Sequence, residues 1–95
     1  MSERVERIRA RLADALAPQE LAVEDESHKH AGPAGARDGR GHFRVHIVSA
    51  AFSGQAPLAR HRAVYAALGD MMTTDIHALS IDARTKAEAR ENNHA

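Results

Sequence analysis

The chain has 95 residues and a mass of 10.3 kDa, enough for one small domain with a limited core. Its 13 Lys and Arg balance its 13 Asp and Glu, which weakens any reading in which the whole chain coats nucleic acid or anionic lipid. Cysteine is absent and histidine occurs 7 times, so disulfides and all-thiolate metal sites are excluded, and any metal is held by nitrogen and oxygen unless a partner lends sulfur.

The spacing of Val5, Ile8, Leu12 and Leu16 predicts a helix over 2–17, with Ser2 at its cap and Pro18 as its stop. Leu21 and Val23 mark one face of a short strand at 21–25. Residues 27–41 hold four of the six glycines and Pro33, and read as a long loop of the kind that is functional or mobile. Phe43, Val45 and Ile47 alternate with Arg44, His46 and Val48, which predicts the second strand. A turn around Ser53-Gly54 follows, and Pro57 stands where a helix begins. The expected buried stripe of that helix is Leu58, His61, Val64, Tyr65, Leu68, Met71 and Met72. Residues 76–83 alternate again, which places His77, Leu79, Ile81 and Ala83 on one face. Thr85-Lys86-Ala87-Glu88 has the form of a capping box and opens a last helix, with a frayed tail expected at 92–95.

The order helix, strand, strand, helix, strand, helix predicts an α+β fold: one three-stranded sheet with helices packed on one side. A single domain is expected over 1–95, with its core at about 3–90. No apolar run is long enough to span a membrane, and the first residues lack the hydrophobic stretch of a secretory leader. The expected location is the cytoplasm or an equivalent reducing compartment.

Charge is unevenly placed. The net charge is −3 over residues 1–26, +5 over 27–65 and −2 over 66–95. The basic middle contains Lys29, Arg37, Arg40, Arg44, Arg60 and Arg62, and is either a local site for phosphate or an acidic partner, or a solvated face. With Phe43 assigned to the core, base stacking has no support. His77, on an apolar face near a strand end, is either a hydrogen-bonded structural residue or a metal ligand whose second ring nitrogen is held in place. His28 and His30 flank Lys29 in the loop, a weak metal motif. His42 and His46 read as structural or solvent-facing, and His61 as a packing residue. Nucleophile elbow, Walker loop, dinucleotide fingerprint and His-Glu-x-x-His are all missing, and Asp25 and Glu26 point to opposite faces, so no enzyme is expected.

Several strings are nonetheless specific. Val23-Glu24-Asp25-Glu26-Ser27-His28-Lys29-His30 precedes His42-Phe43-Arg44-Val45 and Ile47-Val48-Ser49. Phe52-Ser53-Gly54, Arg60-His61-Arg62-Ala63-Val64-Tyr65 and Ile76-His77-Ala78-Leu79-Ser80-Ile81 follow in order. Over roughly residues 3–90 this series resembles the BolA family. The resemblance implies a fold similar to a class II KH domain without its Gly-x-x-Gly loop, with a three-stranded mixed sheet. It also implies a monothiol glutaredoxin as partner, and a [2Fe–2S] cluster shared with that partner and glutathione. The ligands it implies are the strand histidine, His77, and a loop residue, most naturally His30. Where some relatives have a second loop histidine, Pro33 stands here, which leaves His28 and His30 open. A role as transcriptional regulator is implied as well, with Arg44, Arg60, Arg62 and Lys29 as the residues facing promoter DNA. Alone, the chain is expected to be a monomer or weak homodimer.

Overall fold

The computed structural model describes residues 3–27 and 40–92. Most of the expected loop, with His28, Lys29 and His30, lies outside the described residues, as does the tail from residue 93.

The elements in chain order are α1 (Glu3–Leu16), β1 (Glu20–Asp25), β2 (Gly41–Val48), a 3-10 turn (Ala50–Phe52), α2 (Pro57–Leu68), a helical turn α3 (Met71–Thr74), β3 (Ile76–Arg84) and α4 (Lys86–Asn92). The sheet order is β1-β2-β3. β1 runs antiparallel to β2, with Val23 opposite Val45, and β3 runs parallel to β2, with Ile81 opposite Val45. A parallel pair needs a crossover of a dozen or more residues, and the segment from the 3-10 turn to α3 supplies it.

The core is built on one side of the sheet. Ile8 and Leu12 of α1, Phe43, Val45 and Ile47 of β2, Phe52, Val64 and Leu68, Met71 and Ile76 are buried together. At about 1.5–3 kcal/mol for each large side chain taken from water, this cluster is the main cohesive term. The opposite sheet face is polar: Glu24, Arg44, His46, Ser80 and Asp82 line a shallow groove there of about 360 Å³.

The middle helix differs from expectation. Its regular part ends at Leu68, where Gly69 adopts φ 56°, and Met71 belongs to the separate turn α3. Leu58 and Tyr65 are 61% and 41% exposed. Val64 and Leu68 set the inward stripe, and Leu58 and Tyr65 lie about 100–120° around the helix from Val64, outside it.

The capping box at the start of α4 forms as expected. The Thr85 N–H donates to Glu88 Oε1 at 2.8 Å, and the Glu88 N–H donates to Thr85 Oγ1 at 3.3 Å.

Candidate functional site

His77 occupies a bulge between two parallel strands. Gly41 pairs with Ile76 and His42 pairs with Ala78, so one step on β2 faces two on β3 and His77 is the extra residue. Ile76 is 1% exposed in the core, and inward packing resumes only at Leu79 and Ile81. His77 is exposed. The expectation that it shares the apolar face of Leu79 and Ile81 is therefore corrected: the bulge resets the alternation between residues 76 and 79.

The bulge is fixed from both sides. The Gly41 N–H donates to the Asp75 carbonyl at 2.9 Å. A Cβ on Gly41 would lie 2.7 Å from Ser27 Oγ and 2.8 Å from the Phe43 ring, so a side chain there cannot be accommodated without movement. Asp75, immediately before the strand, is 8% exposed. Its carboxylate accepts from the Thr74 hydroxyl at 2.6 Å, and from Arg4 Nε and Arg7 Nη1 at 3.2 Å each. The Thr74 hydroxyl, with the two guanidinium groups, holds this carboxyl below the usual carboxylate range against the opposing effect of burial. Helix α1 is thus tied to the residue two before His77.

Arg40 and His42 flank Gly41, and both reach His77. Arg40 Nη2 lies 3.3 Å from His77 Nδ1. A guanidinium has no acceptor, so in this contact Arg40 donates and His77 Nδ1 accepts. The ring centroids of His42 and His77 are 5.1 Å apart, with planes tilted by 51°. The backbone of His42 is held by Ser27 and Glu26: its N–H donates to Ser27 Oγ at 3.1 Å, and its carbonyl accepts from the Glu26 N–H at 2.8 Å.

Among the described residues no three of His, Cys, Asp and Glu converge into a metal site. What the described part of the chain offers is imidazole at one end of a sheet, with no thiolate. That donor set fits a metal group whose remaining ligands come from elsewhere.

The basic residues do not form one surface. Arg60 has a different role from the one expected: its side chain is 12% exposed, and it donates to the carbonyls of Gln55 and Ala83 and to both Glu88 oxygens. Arg62 is exposed on α2, a helix with no acidic residue. Arg44 is 58% exposed, with its Nε 3.9 Å from Glu26. On the polar sheet face His46 Nδ1 lies 3.0 Å from Asp82, which also accepts from Arg84 Nε at 2.7 Å. Burial pushes the Asp82 carboxyl up, but Arg84 and His46 outweigh it and hold it below the usual range.

Sequence reasoning singled out His77 and missed what positions it: Gly41, Asp75, the Arg40 contact and the proximity of His42. The one available signal was Gly41 beside the first residues of a strand, where a glycine marks a close backbone approach.

The family model described as BolA-like protein matches residues 12–88. The chain is 48% identical over 85 residues to BolA-like protein 1 of Mus musculus, which covers 90% of this chain and 60% of that protein. It is 41% identical over 83 residues to the DNA-binding transcriptional regulator BolA of Escherichia coli (strain K12), covering 87% of this chain and 76% of that one. The solved BolA domain of SufE1 from Arabidopsis thaliana superposes with a TM-score of 0.83 at 46% identity, covering 93% of this chain and 98% of that domain.

Proposed function

From the premise that this chain belongs to the BolA-like protein family, we propose that it is an interaction protein that binds a monothiol glutaredoxin and shares a [2Fe–2S] cluster with it, in iron–sulfur cluster handling or iron sensing. The observation that supports this reading is the half-site at His77. An exposed imidazole stands on a pinned bulge, and the described residues around it do not complete a metal site. In this reading, as membership of the family implies, the remaining donors are thiolates, one from the glutaredoxin cysteine and one from glutathione; this chain has no cysteine to offer. When bound, the cluster supplies a redox-active or transferable iron–sulfur unit.

This chain's residues have defined tasks in that reading. His77 offers one ring nitrogen. The loop offers His30, with His28 as its competitor. Asp75 and Gly41 hold the bulge in place, and the Arg40 hydrogen bond to His77 Nδ1 would have to open for that nitrogen to serve as a ligand. The test is anaerobic mixing with a monothiol glutaredoxin, glutathione, iron and sulfide. A visible spectrum distinct from that of the glutaredoxin homodimer supports the reading, and an identical spectrum contradicts it.

A second reading is DNA binding. It is favoured by the name of the Escherichia coli relative and by the exposure of Arg62 on a helix free of acidic residues. Phosphate contacts of this kind give salt-dependent affinity without sequence choice. Its test is mobility of promoter DNA with Arg62→Glu and Arg44→Glu, in which unchanged binding counts against this surface. Arg60 is a poor probe, since its replacement disturbs α4.

A further inference from the structure

We propose that His42 and His77 together form a two-imidazole site on this chain for a borderline divalent transition-metal ion, latched by Arg40 when no ion is bound. The site shares His77 with the function proposed above, but it needs neither partner nor sulfur, so the two stand or fall by separate experiments.

Two imidazoles bound to one ion, with nitrogen about 2.0–2.1 Å from the metal and tetrahedral angles, bring their ring centroids to about 5 Å. The His42–His77 separation is 5.1 Å, with the planes tilted rather than stacked. The backbones that carry the rings are set by the bulge: His42 pairs with Ala78, and Gly41 is bonded to Asp75. The bulge therefore sets the two ring-bearing backbones side by side. His42 is partly buried and His77 is exposed, so the ion enters from the His77 side. Imidazole pairs select copper(II), nickel(II) and zinc(II) over magnesium and calcium, which prefer oxygen.

Arg40 opposes occupancy whichever nitrogen of His77 the ion takes. At Nδ1 the ion displaces the Arg40 hydrogen bond directly. At Nε2 it moves the ring proton to Nδ1, where it faces a guanidinium that can only donate. A single substitution at Arg40 should therefore tighten the site, an effect that a purely packing role for the two rings does not produce.

The experiment uses copper(II) as probe on the full chain carrying His28→Gln, His30→Gln and His94→Gln, which removes the histidines outside the described residues. Calorimetry and nitrogen hyperfine splitting in electron paramagnetic resonance are the readouts, with an amide NMR spectrum confirming each variant's fold. The expected result is one ion per chain with two imidazole couplings. Binding should weaken at least about tenfold in His42→Gln and in His77→Gln, and tighten several-fold in Arg40→Gln. Absence of binding in the background chain, a single nitrogen coupling, or affinity indifferent to His42 overturns the proposal. If His42→Gln fails to fold, the coupling pattern and the Arg40→Gln response still decide it.

Discussion

Arg60 on α2 and Glu88 on α4 are joined by two hydrogen bonds of 2.6 and 3.1 Å, from Nη1 and Nη2 to the two carboxylate oxygens. The same guanidinium reaches the last strand through the Ala83 carbonyl at 3.1 Å, and Glu88 also caps the helix it belongs to. One fork of donors therefore fastens three elements, at a place where α4 brings little apolar surface of its own.

Replacing Arg60 should act on stability and not on ligand contact. Arg60→Ala removes charge-assisted bonds from a side chain that is only 12% exposed. The expected cost is about 1–3 kcal/mol, read as a lower denaturant midpoint with early loss of amide protection in α4. Arg60→Lys should recover little, because an ammonium cannot reproduce the two-pronged geometry.

The same pair predicts an acid-dependent loss of stability. The Arg60 hydrogen bonds, and next the Thr85 N–H, bring Glu88 from its ordinary 4.5 down to about 2. The unfolded chain then binds more protons than the folded one between these values. The stability due to Glu88 is present above about pH 4.5 and is lost as the pH falls toward 2. Unfolding curves at stepped pH should show that decline, with a shallower slope in Glu88→Gln. An unchanged slope in the variant would show that other carboxylates, Asp75 and Asp82 among them, carry it instead.

Gly41→Ala should damage the bulge without touching a histidine. The new methyl would meet Ser27 Oγ at 2.7 Å and the Phe43 ring at 2.8 and 2.9 Å. A cost of about 1–3 kcal/mol is expected from such overpacking, with chemical-shift changes centred on His42, Phe43 and His77. Wild-type stability and shifts in this variant would mean that β2 yields there more freely than the packing suggests.

Asp75 should divide by what replaces it. Asp75→Ala strips the Thr74 hydroxyl and two guanidinium groups of their acceptor, and about 2 kcal/mol of stability should go with it. Asp75→Asn keeps an oxygen for Thr74 and should cost less, since ion pairs to arginines exposed at 39% and 44% contribute little in water. Equal losses in the two variants would place the weight on charge.

Much of the fold was legible in the sequence. Alternation in Phe43, Val45 and Ile47 located β2, Pro57 located the start of α2, and the spacing of Thr85 and Glu88 located the capping box. The failures have physical causes. Apolar residues lie on more than one side of α2, so periodicity alone could not choose between the stripe of Val64 and Leu68 and the side of Leu58 and Tyr65. At His77 a strict period of two assigned the wrong face, because a bulge is a property of the paired strand and leaves no mark on the bulged one. Arg60 read as one base among several, since its partner Glu88 is 28 residues away and was already assigned to its own helix cap. The proximity of Arg40, His42 and His77 depends on strand register, which local spacing does not encode.

The central claim is that His77 lends an imidazole to a cluster held between two proteins. It is tested most directly by reconstituting the complex of a monothiol glutaredoxin with the wild-type chain and with His77→Ala, and comparing iron content and visible circular dichroism. The expected result is a heterocomplex spectrum in the wild type that is lost, or decays far faster, in His77→Ala, while the variant keeps its fold and its affinity for the glutaredoxin without metal. A variant whose spectrum, iron content and lability match the wild type would contradict the claim.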